Sequence, residues 1–323
     1  INNANSTMTT MMIYFIVSPL FQNHYACYFV TIIYHVFLVL FKKIKVFVKV
    51  NFNNDMEVPF MKKDGHIHSP FCPHGTSDAF ELYIEKAIEN QFTHITFTEH
   101  APLPTNFVDP TPDKDSGMKP KDLTTYIETL KKLKEHYAKD ITINIGLEID
   151  YIIGYETETR ALLDIVGPSL DDSILSVHFL KFNDSYTCID FSEEVYLDFA
   201  QKIGGINEMY NLYYDTVIKS IEANLGRFKP RRIGHPTLIH KFQLAHGEQI
   251  EDGDRIKEIL QLMKDKNYEL DVNSAGLSKT FCKEPYPPLP MIEYARSIEL
   301  PIVFGSDAHC VKDLHQHYHL LFK

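Results

Sequence analysis

Beyond residue 60 the chain alternates two patterns. Short runs of β-branched and aromatic residues predict strands near 64–68, 94–99, 143–149, 173–179, 232–235, 269–273 and 302–306. Between them, apolar residues recur every three or four positions: Phe80, Ile84, Ala87 and Ile88 predict a helix over 77–90, and Ile127, Leu130 and Leu133 one over 123–137. Further helices are predicted at about 157–166, 193–225, 254–266 and 290–297. Strand followed by helix, repeated seven times, reads as successive βα units around a parallel sheet. The segment 101–121 carries Pro102, Pro104, Pro110, Pro112 and Pro120, so it predicts a long loop over one face, of the kind that serves as a lid or binding loop.

Residues 1–60 follow neither pattern. They hold 12 Phe and Tyr but only six charged residues. The stretch 25–41 has no formal charge and is followed by Lys42, Lys43 and Lys45, which is the outline of a short membrane anchor, yet 17 residues is the lower limit for a span. The crowding of Phe, Tyr, Ile, Asn and Lys, all encoded by A/T-rich codons, favours spurious upstream translation over an anchor. The expected division is therefore an apolar extension over 1–60 and one folded domain over 61–323.

Composition narrows the function. With 323 residues, 44% hydrophobic and 23% charged, the chain can bury a sizeable core. Its net charge of −11 argues against nucleic acid as a general partner, and residues 61–323 offer no membrane-binding feature. Five cysteines without a CxxC pair suit a reducing compartment, so the cytoplasm is expected. No GxxxxGK[ST] phosphate cradle and no Cys-x5-Arg loop occurs.

The 16 histidines are the compositional excess. His66 and His68 end the first predicted strand two residues apart, so both point to one face. His74 follows in the first loop. His100 closes the second strand, Glu148 the third, His178 the fourth, His235 the fifth, and Asp307 with His309 the seventh. A single one of these, such as His178 after an apolar run, would ordinarily be a hydrogen-bonded core residue. Core histidines have no reason to fall at the ends of six strands of seven, where a βα barrel carries its active site. Seven histidines and two carboxylates exceed the needs of one tetrahedral ion and imply two or three bridged divalent ions. His94, His136, His240 and His246 read as surface or packing residues, and His315, His317 and His319 as at most a weak metal patch.

These motifs, in order Asp64-Gly65-His66-Ile67-His68-Ser69, Cys72-Pro73-His74-Gly75, Phe97-Thr98-Glu99-His100-Ala101-Pro102, Gly146-Leu147-Glu148, Ser176-Val177-His178, Gly234-His235-Pro236 and Gly305-Ser306-Asp307-Ala308-His309, resemble the polymerase-and-histidinol-phosphatase (PHP) superfamily across 61–323. The stretches Cys-Pro-His-Gly, Thr-Glu-His-Ala-Pro, Asn273-Ser274-Ala275-Gly276-Leu277 and Glu284-Pro285-Tyr286-Pro287 are similar to its monofunctional histidinol-phosphatases. The resemblance implies an α/β fold, a distorted TIM-like (β/α)7 barrel of the PHP type preceded by the apolar extension. It implies three ions: one held by His66, His68, Glu148 and Asp307; a second bridged by Glu148 and held by His178 and His235; a third held by His74, His100 and His309. Zinc, manganese and iron all suit imidazole and carboxylate donors.

The implied reaction is hydrolysis of L-histidinol phosphate to L-histidinol and phosphate in histidine biosynthesis, by attack of metal-bound hydroxide. Asp307 and His178 are the expected catalytic groups. Phosphate would call for guanidinium, with Arg231 or Arg232 as candidates, while Asn273 and Tyr286 are candidate contacts to the rest of the substrate. Ser278 stands where the family often carries a basic residue, although Lys279 is adjacent, and the tail after residue 311 predicts a short last helix. Two other readings are a PHP phosphoesterase for nucleotides or phosphotyrosine, and a non-catalytic PHP module. Intact ligands at all nine positions count against the latter.

Overall fold

The structure, a computed structural model, describes residues 61–322; the extension 1–60 lies outside them. Strands and helices alternate along the chain: β1 (Lys63–Ile67), α1 (Phe80–Glu89), β2 (His94–His100), α2 (Leu123–His136), β3 (Thr142–Asp150), α3 (Glu156–Val166), β4 (Ile174–Ser176), the hairpin β5 (Phe179–Phe182) and β6 (Ser185–Cys188), α4 (Glu193–Ile203), α5 (Ile206–Glu222), β7 (Arg232–Ile233), α6 (Gly253–Asp265), β8 (Glu269–Asn273), α7 (Leu289–Ser297) and β9 (Ile302–Gly305). The order β1-β2-β3-β4-β7-β8-β9 is parallel throughout. Ile67 bridges to Ala308 just past β9, the His68 amide donates to the Ala308 carbonyl at 3.0 Å and the Asp307 amide to that of His66 at 2.8 Å, so first and last strands meet and the barrel nearly closes. This is the seven-stranded barrel that the resemblance implied.

The packing follows from the sequence pattern. Helix α1 turns Phe80, Tyr83, Ile84 and Ala87 inward and α2 turns Tyr126, Ile127, Leu130 and Leu133, against Ile95, Phe97, Ile143, Ile145 and Leu147 of the sheet. Each fully buried aliphatic side chain contributes about 2 kcal/mol by desolvation. The Tyr126 hydroxyl ties helix to sheet, lying 3.0 and 2.9 Å from the carbonyls of Phe97 and Gly146.

Three predicted boundaries move. The helix over 193–225 is two helices, because Gly204 and Gly205 adopt φ of 114° and 138° and end α4 with the Gly205 amide on the Ala200 carbonyl. The strand over 173–179 stops at Ser176, and the chain then leaves the barrel for the antiparallel β5–β6 hairpin, which the βα rhythm did not announce. The strand over 232–235 keeps only two residues, since His235 turns to φ 22°. Among the described residues no helix is long and apolar enough to cross a membrane.

The pole opposite the strand ends is plugged by a cation. Arg232 is fully buried; it donates to the Gly65 carbonyl at 2.8 Å and pairs with Asp172, which also binds Lys63 at 3.0 Å. A Cβ at Gly65 would lie 2.0 Å from the guanidinium, so the plug fits only over a glycine. Removing a buried cation from its partner leaves the anion uncompensated. Arg232→Met should therefore lower stability by about 3 kcal/mol, read from urea unfolding, while leaving KM for a phosphate substrate within about threefold; a tenfold KM rise at unchanged stability would return this residue to substrate binding.

Candidate metal centre and active site

The predicted ligands converge at one mouth of the barrel. His66 lies in β1 and His68 just past it, His100 ends β2, Glu148 lies near the end of β3, and His178, His235, Asp307 and His309 lie on the turns that leave β4, β7 and β9. At the centre stands the Glu148 carboxylate, 1% exposed. Its Oε1 accepts from Ser176 at 2.6 Å and lies 2.9 Å from His235 Nε2 and 3.8 Å from His178 Nε2. Its Oε2 faces His66, His68 and His100 at 3.5, 3.6 and 3.2 Å. Asp307 completes the group, Oδ1 lying 3.1 Å from His68 Nε2 and 3.6 Å from His66 Nε2.

A second layer of carboxylates fixes the imidazoles. Nδ1 of His66 meets Asp271 at 2.9 Å, Nδ1 of His68 meets Glu99 at 3.3 Å and Nδ1 of His178 meets Asp150 at 2.7 Å, so each ring presents Nε2 to the mouth. The Glu99 carboxylate is held in turn by the Ser69 amide at 2.8 Å and hydroxyl at 2.5 Å. Burial would raise the carboxyls of Glu148 and Asp307, but the His66 charge, with the other imidazoles, holds both well below the usual range. The same pairing lifts His178, against burial, to about 10 through the charge of Asp150.

Several atoms of this cage are buried without a hydrogen-bond partner: His66 Nε2, His100 Nδ1 and Glu148 Oε2. Orphaned donor atoms around a desolvated carboxylate fit divalent cations rather than a packed polar core. Four groups bring donor atoms within 4.8 Å of one another: His66, His68 and Asp307; His66, Glu148 and His235; His100, Asp150 and His178; and His68, Cys72, His100 and His309. Two site residues also hold strained backbone, His235 and Asp307 at φ of 22° and 52°.

Not every expected residue is where the sequence reading put it. His74 is exposed at the rim, its ring 5.0 and 5.1 Å from those of His100 and His309, with Nδ1 on the Asp115 carbonyl at 3.0 Å; it stands outside the four donor groups. Cys72, which sequence reasoning passed over, is inside one. Its thiol, against burial, is held down to about 3 by hydrogen bonds from His309, His68 and His74.

The mouth opens into a cavity of about 440 Å³ bordered by His178, Tyr286, Lys241, Lys279, Asp190 and Asp307, among others. Neither arginine reaches it: Arg232 is the plug at the opposite pole, and Arg231 is exposed with its guanidinium 5.4 Å from the Tyr268 ring. Arg232 opens β7 and His235 lies past its end, so the guanidinium reaches back to the Gly65 carbonyl while the imidazole faces Glu148. Asn273 also departs from the expectation. It is fully buried beneath the site, donating to Asp307 Oδ2 at 3.0 Å and to Asp271 at 3.3 Å, so it orients a carboxylate instead of lining the cavity. Tyr286 does line it, held by paired backbone bonds to Asn273, with its hydroxyl unpartnered. Burial raises that phenol well above its ordinary value, so it stays a donor.

The 101–121 loop supplies Thr111, Asp115 and Ser116 to the rim and is pinned by Asp109, whose carboxylate accepts from Thr111 and Ser116 at 2.8–3.0 Å. Lys241 binds the Asp190 carbonyl and carboxylate at 2.6 and 3.0 Å. Asp150 and Asp271 had a readable signal, each lying two residues from a residue already singled out and hence on the same strand face. Lys241 and Asp190, on a short helical turn and a loop, had none.

The PHP domain family matches residues 64–275, more than half of the chain. The chain belongs to the PHP family. Histidinol-phosphatase of Bacillus subtilis (strain 168) is 44% identical over 255 residues, 78% of this PHP chain and 95% of that protein. The crystal structure of a candidate histidinol phosphatase from Listeria monocytogenes aligns with a TM-score of 0.76 at 42% identity, covering 80% of this chain and 99% of that one. The histidinol phosphate phosphatase of Lactococcus lactis, solved with zinc, L-histidinol and phosphate, aligns with a TM-score of 0.62 at 20% identity over 80% and 92% of the two chains, and shares the fold.

This PHP barrel also contains a separate buried cluster. His240 is clamped between Asp252 on Nε2 and Glu284 on Nδ1, both at 2.7 Å, and Tyr214 donates to Asp252. Burial alone would lower His240; the two hydrogen-bonded carboxylates raise it from 6.5 to about 9. Because the folded value is the higher one, the stabilisation is complete below about pH 6.5 and is lost as pH rises through about 9. His240→Gln should cost about 3 kcal/mol at neutral pH and flatten the decline of Tm between pH 7 and 10; an unchanged slope would show that the clamp carries no charge.

Proposed function

We propose that this PHP protein hydrolyses L-histidinol phosphate to L-histidinol and inorganic phosphate with the aid of divalent metal ions held at the barrel mouth. The observation that carries this reading is the Glu148 cage, in a chain 44% identical to a histidinol-phosphatase over 95% of that protein's length. In the ion assignment that follows, His66, His68, Glu148 and Asp307 would hold one ion, and His178 and His235, with Glu148, would hold a second. His100 and His309 belong to a third, with His74 at its rim. Such ions neutralise the charge of a phosphate monoester and lower the pKa of water, which supplies the nucleophile near neutral pH.

The protein's own groups do the rest. Asp307, kept ionised and oriented by Asn273, accepts a proton at its carboxylate from the attacking water. His178, fixed through Asp150, presents Nε2 to the same space. With both arginines elsewhere, Lys241 and Lys279 are the cavity cations for phosphate, and the Tyr286 hydroxyl is a further donor. Asp115, Asp190 and Asp313 border the cavity and suit the ammonium and imidazole of histidinol. Ser278, bonded to Gln316 and His317 at 2.8 and 2.9 Å, fixes the turn that carries Lys279.

Phosphate release from L-histidinol phosphate should exceed that from phosphotyrosine and nucleotides, disappear with a chelator and return with zinc or manganese. His68→Ala or Asp307→Ala should lower kcat by about a hundredfold or more with Tm retained; near-normal turnover in either, or a preference for phosphotyrosine, overturns the assignment. Lys241→Ala or Lys279→Ala should raise KM about tenfold, the worth of one ion pair to phosphate, while Arg231→Ala leaves it unchanged.

A further inference from the structure

The donor group of His68, Cys72, His100 and His309 contains a sulfur to which the ion assignment gives no role. Cys72 sits in the tight turn after β1, its amide on the Ser69 carbonyl at 2.9 Å and its carbonyl accepting from the Gly75 amide at 3.3 Å. The next residue, Thr76, donates its amide to the His309 carbonyl at 3.0 Å, so the turn is stitched to the segment after β9. The thiol is buried, and its Sγ lies within 4.8 Å of donor nitrogens of His68, His100 and His309. Those three rings crowd one another: His68 stacks on His309 with centroids 3.9 Å apart, and His100 is tilted against His68 at 4.3 Å. Independently, His100 is 7% exposed and its Nδ1, 3.2 Å from Glu148 Oε2, makes no hydrogen bond.

We propose that Cys72 is a protein ligand of the third ion, its sulfur completing a set with His100 and His309 while His68 and Asp307 serve the neighbouring ion. This rests on the metal-centre reading and deepens it, because a sulfur donor changes which metal the site prefers. Imidazole and carboxylate alone suit zinc, iron and manganese alike; a thiolate is a soft ligand that favours zinc or iron(II) and disfavours manganese. The cluster then has two kinds of site: an oxygen-and-nitrogen pair around Glu148 that exchanges metals freely, and a sulfur-bearing one at the rim that retains zinc.

The test uses the full chain loaded with cobalt(II) or zinc. Cobalt(II) bound to sulfur gives a near-ultraviolet charge-transfer band, and zinc X-ray absorption resolves a sulfur scatterer at about 2.3 Å. Both are expected in the unmodified protein, so the result does not depend on a variant folding. Cys72→Ser should abolish the band and lower zinc content by one ion per chain, whereas Cys188→Ser, which alters the thiol bonded to Asp190, should keep both. A metal-replete protein with only nitrogen and oxygen scatterers, or a band that survives Cys72→Ser, overturns the ligand while leaving the phosphatase reading intact. A protein that binds no metal at all overturns both.

Discussion

A carboxylate removed from water in the middle of a barrel mouth is the constraint on which the rest of this protein depends. Glu148 has five imidazoles within 4 Å and accepts a hydrogen bond from the Ser176 hydroxyl. Burying such a charge without compensation costs several kcal/mol, and the surrounding sequence answers that cost in two layers. Imidazoles face the anion directly, and behind them Asp271, Glu99 and Asp150 fix which nitrogen points inward. The inner layer leaves lone pairs unused, and the outer layer prevents the rings from rotating away to use them elsewhere. That is a preorganised receptor for small, highly charged cations.

The barrel achieves this gathering through its parallel topology. With every strand running the same way, each C-terminal end delivers one or two side chains to a common rim, and the residues between carry no chemistry. The opposite pole is assigned to stability: Arg232, Asp172 and Lys63 tie β1, β4 and β7 together where no substrate reaches. Division of labour between the two ends explains why a buried arginine three residues from a site histidine has no part in binding phosphate.

The legible part of the fold was the part set by periodicity. Strands of five residues or more and amphipathic helices were readable because their faces are, and the site was readable because histidines coincided with strand ends. Illegible features had other causes. The β5–β6 hairpin is too short for its pattern to stand out from the flanking strand, and the split of 193–225 lay in two adjacent glycines whose turn was overlooked. Arg231 and Arg232 were misplaced because guanidinium chemistry was weighed without counting the distance along the strand. Asn273 and Cys72 exchanged expectations for a related reason. Residue type named Asn273 as a substrate contact and passed over a single cysteine, whereas depth in the barrel makes the amide an organiser and brings the thiol among the imidazoles.

The junction of β1 with the segment after β9 also sets an order of events during synthesis. His66 and His68 emerge early, but Asp307 and His309 join them only when Ile67 meets Ala308 across some 240 residues. Contacts of such long range close late, so a nascent chain exposes its first two imidazoles without the carboxylate that would trap an ion beside them. The set formed by His66, His68 and Asp307 is therefore complete only once the first and last strands have met.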